Sequence, residues 1–301
     1  MQQALIDIGS NSMRLTVFDV RHGDFKVLFK QKYMAGLAGY VENGRLTTAG
    51  ILRACSGLSE FRNTLNALGI KKTNVFATAS LRNIDNTEEA LHFIQGATGY
   101  QIEVISGKEE AAFGYAGAMI GLEKIRSGSF VDIGGASTEV VKYEDGKLLD
   151  SASFKVGSLS LFKHNVRKIL PGLGSFQRME DEIKEKIDGA EDFHFSKYSP
   201  LVCTGGTSRA VMKIARSYLN LPDSCTSIDR YQLNQLYEFF YKGGTPVRDL
   251  ILRIEPERIH TLIPGSLILR HIAEKFQADE IIVSKYGVRE GYLCQRLIKE
   301  Q

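Results

Sequence analysis

The sequence has little of what marks a secreted, membrane-bound or nucleic-acid-coating protein. Its four cysteines, Cys55, Cys203, Cys225 and Cys294, stand apart with no CxxC or Cys/His spacing. That argues against a zinc site or a disulfide framework and leaves buried free thiols. No apolar run approaches the roughly 18 residues a membrane span needs, and the chain opens on strand-like residues rather than a basic-then-apolar leader. A cytoplasmic protein with no membrane partner is expected. Neither sign of charge is in excess: the net charge is +3, too small for a footprint on specific nucleic acid. Locally, Lys163-His164 with Arg167-Lys168 is a candidate polyanion track, although a solvated helix face accounts for it as well. No Pro- or Ser-rich linker interrupts the 301 residues. The chain is long enough for two domains with a core each, and these should be joined by structured elements that hinge.

What is present is a duplication. ALIDIGSNSMRLTVF at 4–18 overlays SFVDIGGASTEVVKY at 129–143, aligning Asp7 with Asp132, Gly9 with Gly134 and Ser12 with Ser137. Each copy continues into a Gly-containing turn, at 21–24 and 144–147, and so reads as strand, tight turn, returning strand. D-x-G turns are common hairpin connectors, but an internal repeat of the whole pattern favours a built device. Glycines let backbone N–H groups converge on one concavity, and Ser10, Ser12, Ser137 and Thr138 add donors, a chemistry suited to phosphate. A carboxylate does not ligate phosphate. Asp7 and Asp132 are therefore candidates for a hydrated divalent cation or an attacking water.

The remaining elements alternate strands and helices. A third strand is expected at 26–34, a helix at 47–68, a strand at 74–79, a helix at 86–98 and a strand at 101–105. Arg82 sits just past the end of the 74–79 strand, where it could reach phosphate or simply lie on the surface. Ser106 is an N-cap with Glu109 and Glu110 in the first helical turn, a pattern that capping alone explains. From Glu110, however, positions i+4, i+7 and i+11 are Gly114, Gly117 and Gly121. Each costs a helix roughly 1 kcal/mol relative to Ala, so something must approach that face or bend it. Glu110 thus heads a helix expected to cross between lobes, while Glu109 points about 100° away. In the second half, helices are expected at 159–169 and 176–187. PLVCTGGTSR at 200–209 is a strand, a Gly205-Gly206-Thr207 turn and a helix start at Ser208, whose N-terminal amides suit phosphate. A last strand at 280–284 precedes YGVREG at 286–291 and a closing helix to Lys299.

DIGSNSMRL at 7–15, TASLRN at 78–83, ISGKEEA at 105–111, VDIGGASTEVV at 131–141, TGGT at 204–207 and YGVREG at 286–291 together resemble, in order and over nearly the whole chain, the exopolyphosphatase and guanosine pentaphosphate phosphohydrolase (Ppx/GppA) family in a short two-domain form. The resemblance implies an α/β, two-lobed, actin-like ATPase (ribonuclease H-like) fold. Its domains would be 1–120 with about 288–301, and 121–287, with the site in the cleft between them. It also implies Mg²⁺-dependent hydrolysis of a terminal phosphate from polyphosphate or guanosine pentaphosphate, with polyphosphate or guanosine tetra- or pentaphosphate as the binding partner and a homodimer among the assemblies it allows. The family's catalytic Glu falls on Glu110. Its phosphate loops fall on Gly9, Ser10, Asn11 and Ser12, on Gly134, Gly135, Ser137 and Thr138, and on Gly205, Gly206 and Thr207, with Arg82 beside them. Asp7, Asp132 and Glu139 are the candidate Mg²⁺ residues.

Two departures carry expectations. Ala136 replaces a glycine of the usual GGGST and should restrict that loop. The segments at 34–37 and 160–161 lack basic residues usual in the family, which implies fewer cationic contacts and a shorter substrate or weak turnover. Two other functions stay open on the sequence: an actin-like kinase using ATP, and a polyphosphate or alarmone sensor with little turnover.

Overall fold

The computed structural model describes residues 1–298. In chain order it forms β1 (Gln2–Ile8), β2 (Met13–Arg21), β3 (Asp24–Tyr33), a 3-10 turn at Leu37–Tyr40, the small hairpin β4 (Val41–Glu42) and β5 (Arg45–Leu46), α1 (Thr48–Ala67), β6 (Thr73–Ala77), α2 (Ala79–Arg82), α3 (Thr87–Thr98), β7 (Ile102–Val104) and α4 (Gly107–Ala118). The second half forms β8 (Gly128–Ile133), β9 (Thr138–Glu144), β10 (Lys147–Phe154), α5 (Ser158–Asn165), α6 (Leu173–Asp188), β11 (Leu201–Thr204), α7 (Gly205–Tyr218), β12 (Ser227–Asp229), α8 (Arg230–Lys242), α9 (Gly244–Ile254), a 3-10 turn at Pro256–Arg258, α10 (Leu262–Lys275), β13 (Glu280–Val283) and α11 (Val288–Tyr292), followed by a π-helical turn, Leu293–Ile298. Among the described residues no helix is long and apolar enough to cross a membrane.

The two main sheets repeat one topology. The first runs β3-β2-β1-β6-β7 and the second β10-β9-β8-β11-β13, with β12 added at its edge. In each, an antiparallel three-strand meander is followed by two parallel strands. This duplicated α/β arrangement is the two-lobed actin-like, ribonuclease H-like fold.

The apolar run of β1 reflects burial on both faces. Ala4, Ile6 and Ile8 pack with Leu58, Phe61 and Leu65 of α1, while Leu5 packs with Phe18, Phe76, Phe113 and Tyr292. β8 behaves likewise, with Val131 and Ile133 in the large core of the second lobe and Phe130 against Tyr115 and Tyr143. α4 therefore touches the backs of both sheets, Phe113 on one and Ala111, Tyr115 and Ala118 on the other. That is the crossing position expected from its glycines. A Cβ on Gly117 would overlap the Gly287 carbonyl, one on Gly291 the Phe113 carbonyl, and one on Gly114 would lie 2.8 Å from Phe130. Small residues thus let α4 and α11 cross at backbone distance. Gly121 does not join them: α4 ends at Ala118, and Gly121 turns with φ 84° into open space.

Other expected boundaries shift for local reasons. α5 stops at Asn165 because Val166 is already extended (φ −118°, ψ 127°), β-branching favouring that state. α7 starts at Gly205 rather than Ser208, which puts the glycine pair in its first turn. The segment after β6 is a helical turn, α2, and not a strand end. The closing helix is followed to Ile298, and Lys299 lies outside the described residues.

Candidate active site

Three glycine turns at the carboxyl ends of β1, β8 and β11 meet at a cavity of about 420 Å³. Two of them are equivalent. A Cβ on Gly9 would sit 2.8 Å from the Ser12 carbonyl, and one on Gly134 would sit 3.1 Å from that of Ser137. Gly134 also donates its N–H to Ser137 at 2.9 Å, closing the turn. The turns face each other: a Cβ on Gly135 would come within 3.1 Å of the Asn11 nitrogen. In the third turn Gly205 has φ 86°, and a Cβ there would overlap the Asp132 carboxylate. Only glycine suits that conformation and that neighbour.

Of the residues singled out in the sequence, Asp7, Gly9, Ser10, Asn11, Ser12, Glu110, Asp132, Gly134, Gly135, Ser137, Glu139, Gly205, Gly206 and Thr207 all line this cavity. Thr138 does not. Its hydroxyl donates to the Val156 carbonyl at 2.7 Å, so it holds the hairpin to the link between β10 and α5. Ala136 is not among the residues with positive φ, so its Cβ places no strain on the loop.

Arg82 is not among the lining residues and pairs with two carboxylates that are. Its Nη1 donates to Glu110 at 2.7 Å and to the Ile105 carbonyl at 3.1 Å. Its Nη2 lies 3.5 Å from Glu139 and 3.4 Å from the Ser153 hydroxyl, which itself donates to Glu139 at 2.7 Å. Helix capping separates the two neighbouring glutamates as the 100° offset requires. Glu109 accepts from the Ser106 N–H at 2.9 Å and pairs with Arg296 at 2.6 Å, whereas Glu110 is 8% exposed and faces the cavity.

The acids here hold protons more tightly than usual. Burial, then the nearby Glu139, pushes Glu110 well above the ordinary carboxylate range, against the pull of Arg82. Burial pushes Glu139 up to about 7, opposed by its hydrogen bond from Ser153 and by Arg82. Burial also raises Asp7 against Arg289 and Arg14, and raises Asp132 against Arg209 and Arg14.

Sequence reasoning missed the cationic wall. Arg14, Arg209, Arg258 and Arg289, with Lys30, Lys32 and Lys285, line the same cavity. The segments at 34–37 and 160–161 supply none of these cations, which come from other parts of the chain. Arg14 follows the first turn, donates to Ser12 Oγ at 3.3 Å and stands opposite Asp7 in the β1–β2 register. Arg289 donates to Thr16 at 2.7 Å and lies 3.9 Å from Asp7. A Cβ on Gly206 would overlap the Arg258 guanidinium. Burial, then Arg289 beside it, brings Arg14 down to about 10; burial, then Arg14, does the same to Arg258. Crowded, partly desolvated guanidinium groups are a setting that suits a polyanion. Arg14, Arg209 and Arg289 each adjoin a motif and were within reach of the sequence. Arg258, in a turn between helices, carried no such signal.

Among the described residues no three His, Cys, Asp or Glu side chains converge as a complete metal cage. Asp7 and Asp132 do line the cavity together, with Glu139 opposite Asp132 in register. A small set of hard oxygen donors fits Mg²⁺, which keeps waters and substrate oxygens in most of its positions.

A family model described as the Ppx/GppA phosphatase family matches residues 16–300. A putative exopolyphosphatase of Haemophilus influenzae is 27% identical over 292 residues, covering 96% of this chain and 90% of that protein. A guanosine-5'-triphosphate,3'-diphosphate pyrophosphatase of Vibrio atlanticus is 35% identical over 308 residues, covering 99% of this chain but 59% of that longer protein. Two solved structures share the fold. The Aquifex aeolicus Ppx/GppA family member has a TM-score of 0.76 at 24% identity, covering 100% of this chain and 99% of that one. An exopolyphosphatase from Cytophaga hutchinsonii has a TM-score of 0.82 at 20% identity, covering 100% and 98%.

Proposed function

The chain belongs to the Ppx/GppA phosphatase family, and we propose that it is a phosphohydrolase releasing the terminal phosphate of inorganic polyphosphate or guanosine pentaphosphate. The observation that carries this reading is Glu110, a buried carboxylate held over a cavity that three glycine turns and four arginines line. The catalytic unit is read as residues 1–120 with the return from about 288, and 121–287, meeting at that cavity.

The turns and arginines grip the phosphate chain so that its last phosphorus lies in line with a water at Glu110. As that water attacks, Glu110 takes its proton. The bridging P–O bond breaks with its electron pair going to the remaining chain, and orthophosphate leaves. A carboxylate with raised proton affinity is a better base near neutral pH than an ordinary one. Arg82 keeps it aimed through the 2.7 Å bond. Backbone N–H groups and guanidinium groups stabilise the spreading charge, which is most of what phosphoryl transfer requires of a protein. Asp7, Asp132 and Glu139 are the residues that would hold Mg²⁺, which when bound neutralises part of the phosphate charge.

The test is phosphate release with Mg²⁺ from short polyphosphate, long polyphosphate, guanosine pentaphosphate and ATP, with Glu110→Gln alongside. The variant should lose about 10²- to 10⁴-fold in kcat, the usual share of a general base, while still binding the polyanion. No release by the wild type from any substrate, with saturable binding, would replace the enzyme with a sensor. Full activity in the variant would remove Glu110 from the role of base.

A further inference from the structure

The basic stretch at 163–168 lies outside the cavity, and its first residue crosses between lobes. Lys163, exposed on α5, donates to the carbonyl oxygen of Gly39 at 2.7 Å and approaches that of Ala38 at 3.5 Å. Among the described residues no carboxylate pairs with it. Those carbonyls belong to the 36–40 strap, which is bonded in turn to the first phosphate turn: the Gly36 N–H donates to the Asn11 carbonyl at 2.8 Å and the Ala38 N–H to that of Ser10 at 3.0 Å. At its other end α5 is bonded to the second phosphate turn. The Ser158 N–H donates to the Gly134 carbonyl at 2.9 Å, and the N–H groups of Leu159 and Ser160 both donate to that of Gly135 at 2.9 Å.

A single chain of hydrogen bonds thus runs from Asn11 and Ser10 through the strap, Lys163 and α5 to Gly134 and Gly135. We propose that Lys163 is a positioning residue that fastens the first and second phosphate turns face to face in the free protein. The inference rests on the phosphohydrolase reading only for its kinetic consequence. An ammonium group suits the task because it offers three donors to two carbonyls, and a flexible stem spans the gap whatever the exact lobe angle. A bound polyanion bridges the two turns by itself. Losing the latch should therefore lower the fraction of free protein already closed, which weakens apparent affinity and leaves turnover of the bound complex nearly unchanged.

The experiment compares the wild type, Lys163→Met, Lys163→Arg and Lys168→Met, the last removing the same charge from the same stretch. Amide hydrogen exchange of the substrate-free proteins is followed over 34–40 and 9–13, and KM and kcat are measured on whichever phosphate chain the wild type hydrolyses. Lys163→Met should speed exchange in both segments and raise KM about five-fold, the scale of one charge-assisted hydrogen bond partly exposed to water, with kcat within two-fold. Lys163→Arg should restore both, and Lys168→Met should alter neither. Unchanged exchange in Lys163→Met overturns the latch, and so does an equal KM rise in Lys168→Met, which would be charge steering alone. Faster exchange in Lys163→Met alongside a wild type that hydrolyses nothing would support the latch and refute the phosphohydrolase.

Discussion

The two hairpins share a backbone and differ in the partner that stands opposite the strand-end Asp. Asp7 stands opposite Arg14, and in the same register Asp132 stands opposite Glu139. Arg14 belongs to the cationic wall. Glu139 is 1% exposed and joins Glu110, Arg82 and Ser153 in the acid cluster. The first copy thus brings a cation to the cavity and the second a further carboxylate. The geometry occurs twice, and the residue opposite the Asp sets which charge each copy presents, because directly opposite residues of a strand pair stand close enough for their charges to matter.

If that division is right, equivalent substitutions separate kinetically. Glu139→Gln keeps the shape but removes a carboxylate beside the proposed base, and should lower kcat about 100-fold or more with little change in KM. Arg14→Gln should instead raise KM about ten-fold, the effect of one lost charged contact to phosphate, with kcat falling less. Identical profiles for the two would break the comparison.

A smaller effect is thermodynamic. With chelator present, the folded protein holds a proton on Glu139 up to about pH 7, whereas an unfolded glutamate releases it near pH 4.3. The folded state therefore binds more protons between those values, so stability falls as pH rises through that window and levels off above it. Thermal melts from pH 5 to 8 should show that decline in the wild type and less of it in Glu139→Gln. Mg²⁺ should raise the melting temperature more at the upper end of the range, where it no longer competes with the proton. An equal Mg²⁺ shift at both ends would remove Glu139 from the cation site.

Smallest is Thr138, whose counterpart in the first copy is Met13. Since its hydroxyl is engaged by the Val156 carbonyl, Thr138→Val should cost about 1 kcal/mol of stability and leave KM unchanged. A rise in KM would return Thr138 to the phosphate loop.

Much of this architecture was legible in the linear chain. Both hairpins, all three glycine turns, the Ser106 cap and the inward aim of Glu110 follow from side-chain period, from turns that need glycine and from the 100° step of a helix, all fixed within a few residues of chain. The glycines of α4 announced a close crossing, and Gly114 and Gly117 make it; Gly121 did not, because the helix had already ended. What the sequence could not decide was where groups from distant segments meet. Arg82, read from the sequence as lying past a strand end, had phosphate or solvent within reach, and only the approach of α4 and β9 gave it Glu110 and Glu139. Thr138 had a donor to offer, and the β10 side of the sheet took it inward to Val156. The cationic wall draws Arg14, Arg209, Arg258 and Arg289 from four separate stretches, so no local pattern contains it. Secondary structure and turn chemistry are short-range properties of the backbone, whereas the electrostatics of a cleft arises only when two folded lobes bring their charges within a few ångströms.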